Sequence, residues 1–251
     1  MAINFKFVHI DDNKRYAHDK SLPLVKFILC HLDFLPYLCD CITTYTTVGS
    51  LERVDERGKN VFSKYLNTLD FEDEDNYDYI GEFEELFREA YRIDLTKYNE
   101  DVLGDIRGKV LEDLIEELVK PRYTDRSNPF GKIFNVGCRI EFNGKHLTIP
   151  TRKTVDIAGW DGIIGEFYEA KVGPHRFQMD ELILLTLIKN EMDKHCIQCI
   201  VGCVSMKRSD VIKAHIKNIV EKEKIPYNHT ISIYGKDNLL ALQESPLSIL
   251  A

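Results

Sequence analysis

The chain has 251 residues, is 44% apolar and carries a formal net charge of −8. That composition supports a sizeable core and excludes a uniformly basic nucleic-acid binder. No run of about 18 apolar residues exists, so no membrane span is expected. The opening "MAINFKFVHIDDNKR" has no basic start followed by an apolar core, so a secretory signal is not expected, and seven cysteines in no disulfide-framework spacing predict reduced thiols in a cytoplasm.

The charge is uneven. Residues 1–104 hold 12 Lys/Arg against 21 Asp/Glu, and residues 105–251 hold 21 against 20. The acidic excess is concentrated in "DFEDEDNYDYIGEFEELFREAYRID", a solvated face or a partner-binding, self-masking surface. The division predicts an acidic, mostly helical region over 1–104, and a second domain over 105–251. His9, Asp11 and Asp12 lie close together and are expected to form a turn rather than a metal site. "LPLVKFILCHLDFLPYLCDCITTY" reads as an apolar helix broken near Pro36. "SLERVDERGKNVFSKYLNTL" follows, with Ser50 as its expected N-cap. "YIGEFEELFREAYR" spaces Ile80, Phe83, Leu86, Phe87 and Tyr91 along one helix face.

The second part changes rhythm. "DIRGKVLEDLIEELVKPRY" is a helix with Val110, Leu111, Leu114, Ile115 and Leu118 as its apolar stripe, ended by Pro121. "KIFNVGCRIEFNGKHLTIP" reads as strands turning at Asn143-Gly144. "VDIAGWDGIIGEFYEAKV" reads as a second hairpin, turning at Asp161-Gly162. A helix in "FQMDELILLTLIKNEMDK", a buried strand in "HCIQCIVGCVSM", a helix in "SDVIKAHIKNIVEKEK" and a strand with a last helix in "TISIYGKDNLLALQES" complete the order. The expected class is α/β, a mixed sheet flanked by helices.

In the second hairpin Glu169 and Lys171 share one face, with Tyr168, Ala170 and Val172 on the other. With the turn at Asp161-Gly162, Glu169 pairs with Thr154, and Asp156 lies one diagonal step away on the same face. A bulge at Gly165 would shift this register by one. Two carboxylates that close repel unless a cation lies between them. Mg²⁺ suits such a pair, because it takes one or two carboxylates, keeps waters and binds phosphate oxygens. A neighbouring lysine can position water and oppose charge building on phosphorus. The pattern points to phosphodiester hydrolysis. The tripeptide Glu-x-Lys alone is weak. Its context is the Asp on the adjacent strand, Glu112 on the preceding helix and Gln178 on the following one.

"TVDIAGWDG" and "FYEAKV" resemble the signature of the PD-(D/E)XK nuclease superfamily, over roughly residues 105–245. The resemblance implies a restriction-endonuclease-like core and a nuclease using Mg²⁺ or Mn²⁺, with DNA favoured over RNA. Asp156, Glu169 and Glu112 would hold the metal, Lys171 would activate water and Gln178 would support the site. Glu116 is a weaker candidate than Glu112. Val155 departs from the proline that nominally precedes the motif Asp.

Lys120, Arg122, Arg126, Lys132, Lys207 and Arg208 are candidate steering charges. Arg152, Lys153, His175 and Arg176 are candidate nucleic-acid contacts nearest the hairpin. Trp160 either packs or stacks on a base. Some relatives of that fold carry an iron–sulfur cluster on four cysteines, and Cys30, Cys39, Cys41, Cys196, Cys199 and Cys203 superficially offer ligands, but the last three fall in a predicted buried strand, where cysteine acts as a small apolar residue. With no sequence-reading module recognisable, specificity is expected from a protein partner or homodimer through the N-terminal region, or from DNA structure. A bacterial or phage defence effector is the expected setting, by analogy of fold. The alternatives are a catalytically silent nuclease-fold module binding nucleic acid or protein, and an RNase-type toxin.

Overall fold

A computed structural model of the chain describes residues 3–10, 15–93, 101–124, 132–223 and 231–244. Asp11, Asp12 and Arg126 lie outside them. The chain divides into a helical unit, Asn13–Asp113, and a sheet unit, Met1–Asp12 with Leu114–Ala251.

The sheet unit opens with β1 (Phe5–His9), a strand within the region expected to be mostly helical. Phe5 and Phe7 turn inward while Lys6 and Val8 are exposed, the period of a half-buried strand. Phe5 lies opposite Phe142 in an antiparallel ladder, and their rings are 4.9 Å apart.

The helical unit contains α1 (Arg15–Cys30), α2 (Leu35–Thr44), α3 (Val48–Glu52), α4 (Val61–Leu66) and α5 (Ile80–Tyr91). The expected break in the first apolar stretch falls at residues 31–34, and Pro36 sits in the first turn of α2, where a missing N–H costs nothing. Thr47, not Ser50, caps α3. Ser50 is its capping-box partner at the third helical position. Leu24, Ile28, Phe34, Leu38, Phe62, Phe83 and Phe87 are fully buried. Edge and tilted ring contacts connect Phe27, Phe34, Phe83 and Phe87.

The boundary between the units falls within α6 (Asp101–Val119), whose expected stripe of Val110, Leu111, Leu114, Ile115 and Leu118 is buried. After α7 (Pro121–Thr124) come β2 (Ile133–Phe142), β3 (Lys145–Leu147), β4 (Val155–Trp160) and β5 (Ile164–Ala170). Asn143 and Gly144 make the first turn, both with positive φ (49° and 79°), as a two-residue hairpin turn requires. Then follow α8 (Met179–Lys194), β6 (Gln198–Val204), α9 (Ser209–Glu223) and β7 (Ser232–Tyr234). The last expected helix is a 3₁₀ turn over Leu239–Gln243.

Among the described residues the sheet has seven strands, ordered β1-β2-β4-β5-β6-β7 with β3 on β2. Its first part is antiparallel, while β5, β6 and β7 run parallel. Parallel neighbours need long crossovers, and α8 and α9 supply them. Leu182, Leu185, Ile188 and Met192 on α8 share one buried cluster with Ala158, Trp160, Phe167, Val201 and Cys203. Each leucine, isoleucine, valine, phenylalanine or methionine among them contributes roughly 1.5–3 kcal/mol through burial. The observed class is the expected mixed sheet flanked by helices. Trp160 is buried 4.6 Å from the Phe5 ring, so it packs rather than offering a face to a base.

Candidate active site

The second hairpin differs from its expected register. Its ladder runs from Trp160–Gly165 to Ile157–Tyr168. The Asp161 carboxylate accepts the N–H groups of Ile163 (2.8 Å) and Ile164 (2.7 Å), and Gly162 takes a φ of 98°. This side-chain turn makes the loop two residues longer than a tight turn at Asp161-Gly162. Extended one step, the register sets Asp156 directly across from Glu169 rather than diagonally. An even shift leaves each residue on its expected face.

Beyond Ile157 the main-chain ladder gives way. The Ala170 N–H donates to Asp156 Oδ2 at 2.8 Å. Lys171 Nζ donates to the same oxygen at 3.2 Å and lies 3.5 Å from Glu169 Oε2. Asp156, Glu169 and Lys171 thus meet on one face. Glu169 is fully buried.

Two further residues enter this group. Arg152 donates from Nε to Glu169 Oε1 at 3.1 Å and from Nη2 to Glu169 Oε2. The guanidinium also lies 3.6 Å from Asp156 Oδ1 and 3.3 Å from Glu181 Oε1. Arg152, read as a nucleic-acid contact, is therefore engaged by carboxylates. Glu181 comes from the first turn of α8, where its Oε2 accepts the Gln178 N–H at 2.9 Å. Sequence reasoning selected Gln178 from this helix start and missed Glu181. The available signal was the Gln-x-x-Glu spacing of a capping box. Gln178 itself is the N-cap and is exposed.

The charges settle by burial and proximity. Burial pushes Asp156 up, but Lys171, Arg152 and the Ala170 N–H outweigh it and hold its carboxyl below the usual range. Burial, then the Asp156 charge, pushes Glu169 well above that range against Lys171 and Arg152. The two carboxylates therefore lose their protons in sequence, Asp156 first. Burial opposes the charge of Lys171, and Asp156 and Glu169 more than restore it.

Two carboxylates on one sheet face are donors that Mg²⁺ or Mn²⁺ accepts, with water and substrate oxygens completing the shell. The donor chemistry fits such an ion. Among the described residues no three His, Cys, Asp or Glu side chains gather closely enough to hold a metal by themselves. Glu112, the expected third ligand, lies in the helical unit, where Lys109 Nζ is 3.5 Å from its Oε2. Glu116 pairs with Lys120 at 2.9 Å.

The opposite face of β5 holds a second buried carboxylate, which the sequence reading did not single out. Glu166 accepts from Arg122 Nη2 at 2.7 and 2.8 Å, from Tyr168 Oη at 2.9 Å and from Tyr123 Oη. Gly159 lies across the ladder from Glu166. A Cβ there would stand 2.4 Å from the Tyr123 ring, so glycine lets that ring lie over the strand. This carboxylate is saturated with donors, the condition under which a buried charge is tolerated.

Of the other expected steering charges, Arg122 is taken by Glu166, Arg208 pairs with Asp210 at 3.1 Å, and Lys132 donates to the Arg122 carbonyl at 3.1 Å. Lys153, His175 and Arg176 are exposed, the last two on a 3₁₀ turn over Pro174–Arg176 that ends just before α8. Cys199 and Cys203 are buried free thiols on β6, while Cys196 is exposed. Burial raises the Cys199 thiol to about 12.

No protein-family profile matches the chain, and no curated protein matches it. Among solved structures, it is similar to protein VC1899 from Vibrio cholerae, with 15% identity, a TM-score of 0.43, and coverage of 96% of this chain and 57% of that one. It is also similar to Can2 from Sulfobacillus thermosulfidooxidans in complex with cyclic tetra-adenylate, with 12% identity, a TM-score of 0.37, and coverage of 95% and 54%. The chain spans just over half the length of each. Among the described residues no single helix is long and apolar enough to cross a membrane.

Proposed function

We propose that this chain is a divalent-metal-dependent nuclease of the PD-(D/E)XK type, hydrolysing phosphodiester bonds in DNA in preference to RNA. The observation that carries the proposal is the meeting of Asp156, Glu169 and Lys171 on one sheet face, with Lys171 Nζ 3.2 Å from one carboxylate and 3.5 Å from the other.

Asp156 and Glu169 would hold Mg²⁺ or Mn²⁺. Such an ion supplies positive charge against a phosphoryl oxygen and makes an attacking water more acidic. The Ala170 N–H fixes the Asp156 carboxylate. The Lys171 ammonium orients the attacking water and opposes charge building on phosphorus. Lys153, His175 and Arg176 are exposed cationic or titratable groups suited to backbone phosphates. In this proposal the partner is nucleic acid, the N-terminal region recruits a protein or a second copy, and the setting is a defence system.

The test is digestion of supercoiled plasmid, linear duplex and single-stranded RNA with Mg²⁺, Mn²⁺ or EDTA, beside Glu169→Gln and Lys171→Met. Metal-dependent cutting of the DNA that both variants lose supports the proposal. A folded, metal-binding chain that cuts no polymer overturns it in favour of a silent nuclease-fold module. The guanidinium of Arg152 across both Glu169 oxygens is the observation favouring that second reading.

A further inference from the structure

Arg152 sits on a tight turn before β4. Ile149 N–H donates to the Arg152 carbonyl at 2.9 Å, and Arg152 N–H donates back to the Ile149 carbonyl at 3.3 Å. The backbone is pinned, but the side chain has several rotatable bonds. Its planar fork covers both oxygens of the fully buried Glu169. Its remaining nitrogen, Nη1, is 3.3 Å from Glu181 Oε1. Glu181 is held in place through its other oxygen by the Gln178 N–H. One guanidinium thus stands between an inner carboxylate and an outer one.

A buried carboxylate beside a second carboxylate needs a cation, and a guanidinium or a divalent ion can meet that need. The guanidinium occupies both oxygens of Glu169, which a divalent ion would need, so the two would compete. We propose that Arg152 is an exchangeable internal cation. Without metal it neutralises and holds Glu169, and a divalent ion binds only as the guanidinium leaves Glu169 and remains with Glu181. The proposal rests on the metal-dependent reading above and adds a control on metal entry. If the displaced arrangement is populated at about 1–10%, apparent metal affinity falls about 10- to 100-fold below that of the open site.

The experiment is calorimetric titration of the full chain with Mn²⁺, paired with thermal unfolding with and without Mn²⁺. It compares the native chain with Arg152→Ala, Arg152→Lys and Glu169→Gln. Arg152→Ala is expected to bind Mn²⁺ about 10- to 100-fold more tightly. It should unfold at a lower temperature without metal and recover with it. Arg152→Lys, which cannot span both oxygens, should fall between, and it decides by the same comparison if the alanine variant does not fold. Glu169→Gln should lose Mn²⁺ binding. Equal or weaker binding by folded Arg152 variants, while the native chain binds Mn²⁺ and cuts, overturns the exchange alone. Absence of Mn²⁺ binding in the native chain and in every Arg152 variant overturns the metal-dependent reading, and the exchange with it.

Discussion

Asp156 accepts the main-chain N–H of Ala170 at 2.8 Å, and so occupies a donor that the β4–β5 ladder leaves beyond Ile157. Its carboxylate therefore has a structural task as well as its proposed chemical one, and two substitutions separate them. Asp156→Asn keeps an acceptor for Ala170 and removes the charge. It should fold, losing only the attraction to Lys171 and Arg152, and lose Mn²⁺ binding in calorimetry. Asp156→Ala also removes the acceptor, and should cost a further 1–3 kcal/mol, roughly, in urea denaturation.

Glu166 on the other face is held by side-chain donors alone. Arg122, Tyr123 and Tyr168 all donate to it. Glu166→Ala strands the half-buried Arg122 charge and the Tyr123 and Tyr168 hydroxyls, and should lower stability by about 2–4 kcal/mol. Under folding conditions its Mn²⁺ affinity should match the native chain. A variant that loses metal binding while retaining stability would place Glu166 in the active site instead.

Gly159 leaves the space that the Tyr123 ring fills, and an added Cβ would lie 2.4 Å from it. Gly159→Ala should destabilise by about 1–3 kcal/mol through overpacking. In a Tyr123→Ala background most of that cost should disappear. A double-mutant cycle by denaturant melts reads the coupling directly, and purely additive losses would assign the cost to the strand backbone.

The same cluster sets an alkaline limit. Burial first, then Glu166, raises the phenols of Tyr123 and Tyr168 above their usual range. In the unfolded chain they ionise at about pH 10. A pKa raised in the folded state favours folding fully below the unfolded pKa, and that contribution is lost as pH rises towards the folded one. Stability should therefore decline above about pH 10. Tyrosinate absorbance from these two rings should appear only with loss of the far-ultraviolet circular dichroism signal. Ionisation with the circular dichroism intact would contradict their burial.

Much of the site was legible in the sequence because strand periodicity survives an error of two. The loop at Asp161 lengthened the hairpin, yet Asp156, Glu169 and Lys171 stayed on one face. The strand Phe5–His9 was not recognised, since its partner, Ile133–Phe142, lies over a hundred residues away and five residues carry little periodic signal. Glu181 escaped the sequence reading, although it stands three residues after Gln178 at the start of one helix. Only the packing of that helix brings Glu181 within 3.3 Å of Arg152.

The sequence by itself determined the mixed α/β class, the apolar stripes of the helices and the face shared by Asp156, Glu169 and Lys171. These follow from the local periods of helix and strand, which neighbouring residues express without help. Tertiary structure decided what those carboxylates meet. Arg152 and Arg122 both resembled free cations in the sequence, yet one lies on Glu169 and the other on Glu166. Long side chains choose partners by distance in space, and burial makes that choice energetically large.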